Sequence, residues 1–174
     1  MGLGGILLGA ALAVIGGIVG EFARGRIETA RLTRKVLRSI HAKVVYIAAI
    51  LDIACSKEKE NPEEFVMSLS QLRDMPSSLR QAVDAADDVL PEEVISCVFP
   101  LIWPLTYVAG QVDALTVNAP AKREDLAEAS FRALSREKLG VALRGRVESL
   151  LAEVRDCCRV VTKAYQDSAT FWGD

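Results

Sequence analysis

The feature that most constrains this chain is a long run of uncharged residues near its amino-terminal end. Residues 2–20 read GLGGILLGAALAVIGGIVG and contain no charged or strongly polar side chain. With a rise of about 1.5 Å per residue, a helix of this length just crosses a hydrocarbon core of about 30 Å. Backbone groups in lipid must be paired internally, so a helix is nearly obligatory there. We therefore predict a transmembrane helix over residues 2–20 and a helical bundle over residues 21–174.

Glycines are concentrated and regularly spaced in this run. Seven of the chain's 12 glycines lie there, and in water each would weaken a helix by about 1 kcal/mol relative to alanine. Small residues recur every four positions in two registers: Gly5, Gly9, Ala13 and Gly17 in one, Gly16 and Gly20 in the other. Such a stripe, or glycine zipper, lets a neighbouring helix approach closely. It predicts a homo-oligomer; the alternative is a plain anchor with chance spacing.

The charges around the run predict a retained anchor and its orientation. The run lacks the basic start of a signal peptide and is longer than the usual apolar part of one. Seven basic and two acidic residues lie between positions 21 and 43, whereas only the terminal amine precedes the run. Positive charge is kept on the cytoplasmic side. We therefore expect a single-pass membrane protein with its N-terminus outside and its bundle cytoplasmic.

Charge and cysteine content narrow the partners. Basic residues follow the apolar run within a few turns and are predicted to contact anionic lipid headgroups: Arg24, Arg26, Arg31 and Lys35. Residues 56–93 are acidic and form either a solvated face or a partner for the basic stripe of a neighbouring subunit. Nucleic acid is not expected, because no aromatic residues are interleaved to stack bases. The four cysteines lack metal or disulfide spacing and fit a reducing compartment, so no metal or cofactor is predicted.

The rest of the chain shows helical apolar spacing and no alternating strand pattern. The first helix is expected to continue the anchor to about Cys55 with Leu32, Leu37 and Ile40 on one face, and to be deep in a core beyond residue 44. Further helices are expected after Asn61, after a Ser77 cap and after Pro91, and then over residues 123–166 with a bend near Gly140 and Gly145. The prediction is an all-α fold: an N-terminal transmembrane helix continuous with an antiparallel four-helix bundle.

A second apolar stretch leaves two alternatives open. Residues 94–112 are uncharged and long enough to span a membrane. Their flanks are acidic, however, and Pro100 and Pro104 interrupt them, so we favour a buried core helix over a second span. Trp103 and Tyr107 would be core residues in the first case and interfacial anchors in the second.

One pair of residues resembles a catalytic motif. Six residues separate Arg34 from His41, which puts them two turns apart on one side of a helix. Such an R-x6-H pair on a helical bundle resembles the motif of HEPN-type ribonucleases, whose Arg and His from two protomers cleave RNA without metal. The resemblance implies that His41 acts as acid or base and that Arg34 holds a phosphate. The lysine after Arg34 departs from that family's small polar residue, and we favour an ordinary helix-flank role for His41.

The order of elements resembles a group of membrane-acting immunity and cell-death proteins. Fungal HeLo and HeLo-like domains, the plant RPW-type domain and the bundle of mixed-lineage kinase-like protein share a first helix that attacks membrane and a bundle that oligomerises. Membrane accessory proteins of CRISPR systems, with a HEPN-like bundle, are also similar. The resemblance implies a non-enzymatic membrane assembly, such as a pore in defence or cell death. The alternatives are a membrane-tethered HEPN-like ribonuclease and an anchored scaffold for a cytoplasmic protein partner.

Overall fold

The computed structural model describes residues 3–57, 62–86, 88–117 and 126–170, and gives side-chain surroundings for most of residues 16–56, 64–115 and 141–169. These residues form five helices and no strand, so the all-α prediction is confirmed. In chain order the helices are α1 (Leu3–Lys57), α2 (Pro62–Ser70), α3 (Met75–Asp84), α4 (Glu92–Val117) and α5 (Leu126–Thr170). Three long helices and two short ones thus make up the described chain.

Helix α1 is one unbroken helix of 55 residues and about 80 Å. Its described side chains before Ala30 are exposed, whereas Leu37, Ile40 and Val44 are buried. Continuation of the amino-terminal helix into the bundle is therefore confirmed as helix geometry. Leu32, which we expected on the inner face, is 48% exposed because it lies where α1 is only entering the bundle.

The core lies between α1 and α4 in one direction, and between α5 and the α2–α3 pair in the other. Helix α1 packs on α5, α2 and α3, and α4 packs on the same three helices, but within the described residues no Cα of α1 lies within 8 Å of a Cα of α4. The short helices α2 and α3 therefore separate α1 from α4 on one flank, and α5 separates them on the other. Every buried side chain among the described residues is apolar. Each buried Leu, Ile or Val contributes about 1.5–3 kcal/mol through removal of apolar surface from water.

Two predicted helix boundaries are wrong. Helix α2 ends at Ser70 rather than near residue 75, and α3 begins at Met75, ahead of Pro76. Proline is tolerated in the first helical turn, where its missing N–H has no partner to lose, so the helix starts before the proline instead of after it. Ser77 is consequently inside α3, where its hydroxyl donates to the carbonyl of Asp74. The predicted start of α2 at Pro62 is confirmed, whereas its predicted cap, Asn61, lies outside the described residues.

Helices α4 and α5 lie close to the ranges that the sequence indicated, and both continue through residues that disfavour helix. Helix α4 begins at Glu92, as expected, and continues through Pro100 and Pro104. Helix α5 continues through Gly140 and Gly145, where we expected a break or bend, so the two glycines do not break the helix. A proline costs a helix interior about 3 kcal/mol and a glycine about 1 kcal/mol. Burial of neighbouring side chains offsets these costs, with Leu101 and Leu105 in α4 and Leu143 and Val147 in α5.

Candidate functional site

The first candidate site is the part of α1 that projects from the bundle. Gly16, Gly17 and Gly20 are exposed, and a methyl group added to any of them would meet no atom within 4 Å beyond its own turn of the helix. The side-chain surroundings of Gly5, Gly9 and Ala13 lie outside the described residues, although all three belong to α1. No other part of the described chain therefore packs against the carboxyl-terminal half of the stripe. Association through the stripe stays a prediction.

A basic segment follows the stripe on the same helix. Arg24, Arg26, Arg31 and Lys35 are all exposed. Phe22 is 63% exposed, and the guanidinium carbon of Arg26 lies 4.9 Å from the centroid of its ring. An aromatic ring with a cation on its face, next to an apolar run, is an arrangement suited to a membrane–water boundary. We did not single out Phe22 from the sequence, although it lies between the apolar run and the basic residues that follow it.

His41 of the Arg34 and His41 pair packs against a neighbouring helix, whereas Arg34 does not share its surroundings. His41 is half-buried between α1 and α5, with its Nε2 3.1 Å from the Thr162 hydroxyl oxygen. Its ring stacks on Tyr165, with centroids 5.5 Å apart and planes inclined by 17°. Arg34 is exposed. These contacts give His41 a packing partner and a hydrogen-bond partner on the neighbouring helix.

A cleft of about 350 Å³ lies where the start of α4 meets α1 and the end of α5. Thr33, Glu93, Asp167 and Ser168 contribute its polar side chains. The Thr33 hydroxyl donates to the carbonyl of Thr29, and the Ser168 hydroxyl donates to that of Tyr165. The Ser168 hydroxyl is thus used within its own helix, whereas the Thr33 hydroxyl also lies 3.4 Å from the carbonyl oxygen of Val89, just ahead of α4. Among the described residues, no group of three His, Cys, Asp or Glu side chains is placed to hold a metal ion.

Polar contacts fasten α1 to its neighbours in the bundle. Asp52 accepts from Arg155 of α5 at 2.6 Å, and Lys43 donates to the carbonyl of Ser78 in α3 at 3.1 Å. Tyr46 donates to the side chain of Gln71 at 3.2 Å. Lys43, which counted toward the basic segment in the sequence, is therefore committed to holding α3.

Two cysteines that sequence spacing did not connect lie together between α4 and α5. The Sγ of Cys157 donates to the Sγ of Cys97 at 2.9 Å. This hydrogen bond lowers the pKa of Cys97 despite partial burial. The same bond, burial and the charge on Cys97 raise the pKa of Cys157, and burial raises the pKa of Cys158. The pairing depends on how α4 meets α5, which no spacing along the chain reveals.

Helix α4 has one buried side and one exposed aromatic side. Residues 94, 98, 101, 105, 108 and 112 are buried, which confirms a core helix on that side. Phe99 is 53%, Trp103 73% and Tyr107 40% exposed, so Trp103 and Tyr107 are not core residues as we expected. The helices that pack on α4 cover one of its sides, so the opposite side is left exposed. Within the described residues, Glu92–Leu115 is the one helical segment long and apolar enough to cross a membrane, by length and composition alone, with a mean hydropathy of 1.4.

The bundle half of α1 also has an exposed apolar side. We expected its far end to be deep in the core, but Val45 is 44% and Ile53 is 47% exposed, and Ala42 and Ala49 are exposed between them. The expectation is wrong for this side because α5 and the α2–α3 pair cover α1 only from two directions. A helix that is apolar on all sides can therefore still have one side exposed.

Comparison with family models, with curated proteins and with solved structures finds no match for this chain. The resemblance to HeLo-like and HEPN-like bundle proteins accordingly stays an interpretation of the sequence. The functional conclusion is carried by the geometry of α1 and of the two exposed helix faces.

Proposed function

We propose that this protein is a non-enzymatic, membrane-anchored helical-bundle protein that self-associates and forms or gates a membrane assembly, such as a pore in defence or cell death. One observation carries this function. Helix α1 is continuous from Leu3 to Lys57, with one half packed in the bundle and the other projecting with its described side chains exposed. A rigid helix of this kind transmits displacement of the bundle to the projecting segment.

Distances along α1 sort the basic residues by their reach to a bilayer. If residues 2–20 span the hydrocarbon core, Arg24 and Arg26 lie about 6 and 9 Å beyond its edge, and Lys35 about 22 Å beyond it. The headgroup layer is about 5–7 Å thick on each side. Arg24 therefore lies within this layer and Arg26 about 2 Å past it, within reach of its side chain, whereas Lys35 is more than a Debye length away. The predicted lipid-binding set thus divides into a near pair, Arg24 and Arg26, and two distant members, Arg31 at about 16 Å and Lys35 at about 22 Å.

Exposed apolar residues on the projection support its burial in lipid or against another copy. Val19 is 60%, Phe22 63% and Ile27 38% exposed. Exposed apolar surface costs about 25 cal/mol per Å² in water. Burial of these side chains, together with close approach at Gly16, Gly17 and Gly20, would remove that cost.

The order of contacts supports the antiparallel four-helix arrangement. Asp52 pairs with Arg155, whereas His41, earlier in α1, meets Thr162, later in α5. Position along α5 therefore falls as position along α1 rises. The orientation with the N-terminus outside and a cytoplasmic bundle is supported by the excess of basic residues after the apolar run.

Substitution of the stripe tests the self-association. Changing Gly9, Ala13 and Gly17 together to leucine widens the helix face and should reduce the mass of the purified full-length chain in detergent, measured by light scattering. The matched control changes Gly4 and Ala11 to leucine, which lie on the opposite side of the helix, and should leave the mass unchanged. An unaltered mass in the triple variant would show that the stripe does not mediate association.

The ribonuclease alternative has a direct test at His41. His41→Ala should abolish RNA cleavage if the side chain transfers protons, and His41→Gln should abolish it too while retaining a hydrogen bond to Thr162. RNA cleavage that survives in the glutamine variant excludes catalysis by His41. The contacts with Thr162 and Tyr165 support the packing role instead.

Particle symmetry separates the assembly from the scaffold alternative. Imaging of the purified full-length chain should reveal a closed ring with a lumen if the protein forms a pore. A monomer or a simple dimer supports an anchored scaffold for a cytoplasmic partner.

A further inference from the structure

The outer side of α4 presents a row of aromatic rings. Phe99, Trp103 and Tyr107 follow one another at intervals of four residues, and each is at least 40% exposed. The rings of Trp103 and Tyr107 stack with centroids 6.3 Å apart. Aromatic side chains are enriched in the buried centres of protein interfaces, and Trp and Tyr are the commonest energetic anchors there. Glu92 continues this side toward the start of the helix.

The outer side of α1 within the bundle presents smaller residues. Ala42, Val45, Ala49 and Ile53 are exposed, and the basic side chain of Arg38 precedes them on the same side. The two alanines leave room between the branched side chains. An aromatic ring from another helix fits such a hollow as a knob fits a hole.

The two faces lie on opposite sides of the bundle, because α5 and the α2–α3 pair separate α1 from α4. One chain therefore cannot cover its own aromatic face with its own alanine face. A neighbouring copy can, and the contact would join two different surfaces. Contacts of that type generate closed rings or open filaments instead of two-fold dimers.

The direction of the two helices allows such a neighbour to stand side by side. Thr33 of α1 and Glu93 of α4 line the same cleft as Asp167 and Ser168, so both helices are level there. Farther along, Asp52 meets Arg155, and Cys97 meets Cys157. Positions in α5 therefore fall as positions rise in α1 and in α4, which means that α1 and α4 run in the same direction. Copies anchored in one membrane would then bring the two faces together as parallel helices.

The spacing along the two faces matches. Arg38 precedes Ala49 by 11 residues, and Glu92 precedes Trp103 by 11 residues, a rise of about 16 Å in each case. Placing Trp103 beside Ala49 puts Glu92 beside Arg38, so opposite charges meet at one end. The same register puts Phe99 beside Val45 and Tyr107 beside Ile53. Steric fit and charge therefore agree on one register.

We propose that neighbouring copies of this chain join head-to-tail through their bundles, with the aromatic face of α4 in one copy packed on the alanine face of α1 in the next. This contact rests on the proposed function in one respect, namely that the anchored chains share one orientation. A lipid occupant is disfavoured by distance. The level of Thr33, where α4 begins, is about 20 Å from Gly20, and α4 then runs away from the predicted span.

A single pair of helix faces makes a small interface. Interfaces below about 1,200 Å² are typical of weak or transient contacts. Anchoring in one bilayer raises the effective concentration of the partners, as a short linker does for two binding modules. The contact is therefore expected to be strong only among membrane-anchored copies.

Photo-crosslinking of the full-length chain tests the contact. One chain carries benzoylphenylalanine in place of Trp103. It is mixed with unsubstituted chains enriched in ¹⁵N, and the mixture is reconstituted in vesicles of phosphatidylcholine and phosphatidylglycerol. After irradiation and trypsin, the crosslinked partner should be the ¹⁵N peptide of residues 44–57. The matched control places the same group at Val141 of α5, which is 61% exposed and should not crosslink to that peptide. Crosslinks to residues 92–115 of a second copy, to lipid alone or to nothing overturn the proposed contact.

Mixing of variants tests its head-to-tail character. Trp103→Asp disables the aromatic face of α4, and Ala49→Asp disables the alanine face of α1. Each variant alone should therefore lose the bundle contact. The contact is measured as the crosslink between chains that carry Glu92→Cys and chains that carry Arg38→Cys. A mixture of the two variants should regain one contact per pair of chains, because each supplies the face that the other retains. A mixture that regains nothing contradicts a head-to-tail contact. Unchanged circular dichroism shows that both variants are folded.

Charge reversal and the stripe variant separate the two levels of the hypothesis. Arg38→Glu or Glu92→Arg alone should weaken the contact about fivefold or more, and the double variant should restore it, as expected for one close pair of charges. Failure of the double variant to restore the contact contradicts the register. The photo-crosslink should persist in the chain with Gly9, Ala13 and Gly17 changed to leucine; its loss there would make the bundle contact only a consequence of the stripe.

Discussion

The two halves of α1 obey different rules although they form one helix. In the bundle half, Leu37, Ile40, Val44 and Ile47 are buried on one side, and the remaining sides carry polar contacts or stay exposed. In the projecting half, the described side chains from Gly20 to Thr29 are all exposed, whether they are apolar or charged. Packing therefore explains the buried side of the bundle half, but not its exposed apolar residues Val45 and Ile53. In the projecting half, no packing among the described residues covers the apolar side chains at all.

The largest expected difference between the halves concerns stability. Ile47→Ala removes a fully buried side chain and should lower the free energy of unfolding of the bundle by about 2–5 kcal/mol. Ile27→Ala, in the projecting half, should change it by less than about 0.5 kcal/mol. Chemical denaturation followed by circular dichroism measures both. Equal losses in the two variants would show that the projecting half packs on the bundle after all.

A proline at the junction should uncouple the halves. Thr29→Pro removes a backbone hydrogen bond and costs the helix about 3 kcal/mol locally. It should leave unfolding of the bundle unchanged but abolish the dye leakage from vesicles that the proposed pore would cause. The matched control is Thr29→Ala, which removes only the side-chain bond to the carbonyl of Gly25. Leakage that persists in the proline variant would mean that a continuous helix is not needed.

The basic residues should differ in their preference for lipids according to distance. Replacing Arg24 and Arg26 by glutamine should reduce anionic lipid retained by the purified chain, by about fivefold for each charge lost near the surface. Lys35→Gln should have little effect because it lies about 22 Å from the predicted edge of the core. Mass spectrometry of copurified lipids gives the ratio of phosphatidylglycerol to phosphatidylcholine. Equal effects from all three residues would place the membrane boundary farther along α1.

The smallest expected effect lies inside the bundle, at the cysteine pair. The hydrogen bond from Cys157 lowers the pKa of Cys97, whereas burial raises that of Cys158, so Cys97 should be alkylated by iodoacetamide at lower pH than Cys158. Cys157→Ala removes the donor and should move the alkylation of Cys97 to higher pH. Peptide mass spectrometry from pH 6 to 9 follows both sites. Identical profiles for Cys97 and Cys158 would contradict the pairing.

Helical spacing in the sequence predicted the all-α fold, the continuation of the first helix and the start of α4 at Glu92. It did not predict which sides of α1 and α4 stay exposed. Val45 and Ile53 are as apolar as Val44 and Ile47, and Trp103 is as apolar as Leu101, so composition could not distinguish covered from uncovered sides. The prediction of one helix through Pro100 and Pro104 is confirmed, although the burial that offsets their cost comes from packing against other helices.

The sequence by itself determined that residues 2–20 carry no charge, that their small residues recur every four positions, and that basic residues follow them. These are properties of neighbours along one helix, where rise and rotation per residue fix the geometry. Only the tertiary structure decided that α1 and α4 lie on opposite sides of the bundle with exposed apolar faces, and that Cys97 meets Cys157. Such relations depend on how distant segments pack, and packing responds to the shape of the whole core instead of to any local pattern.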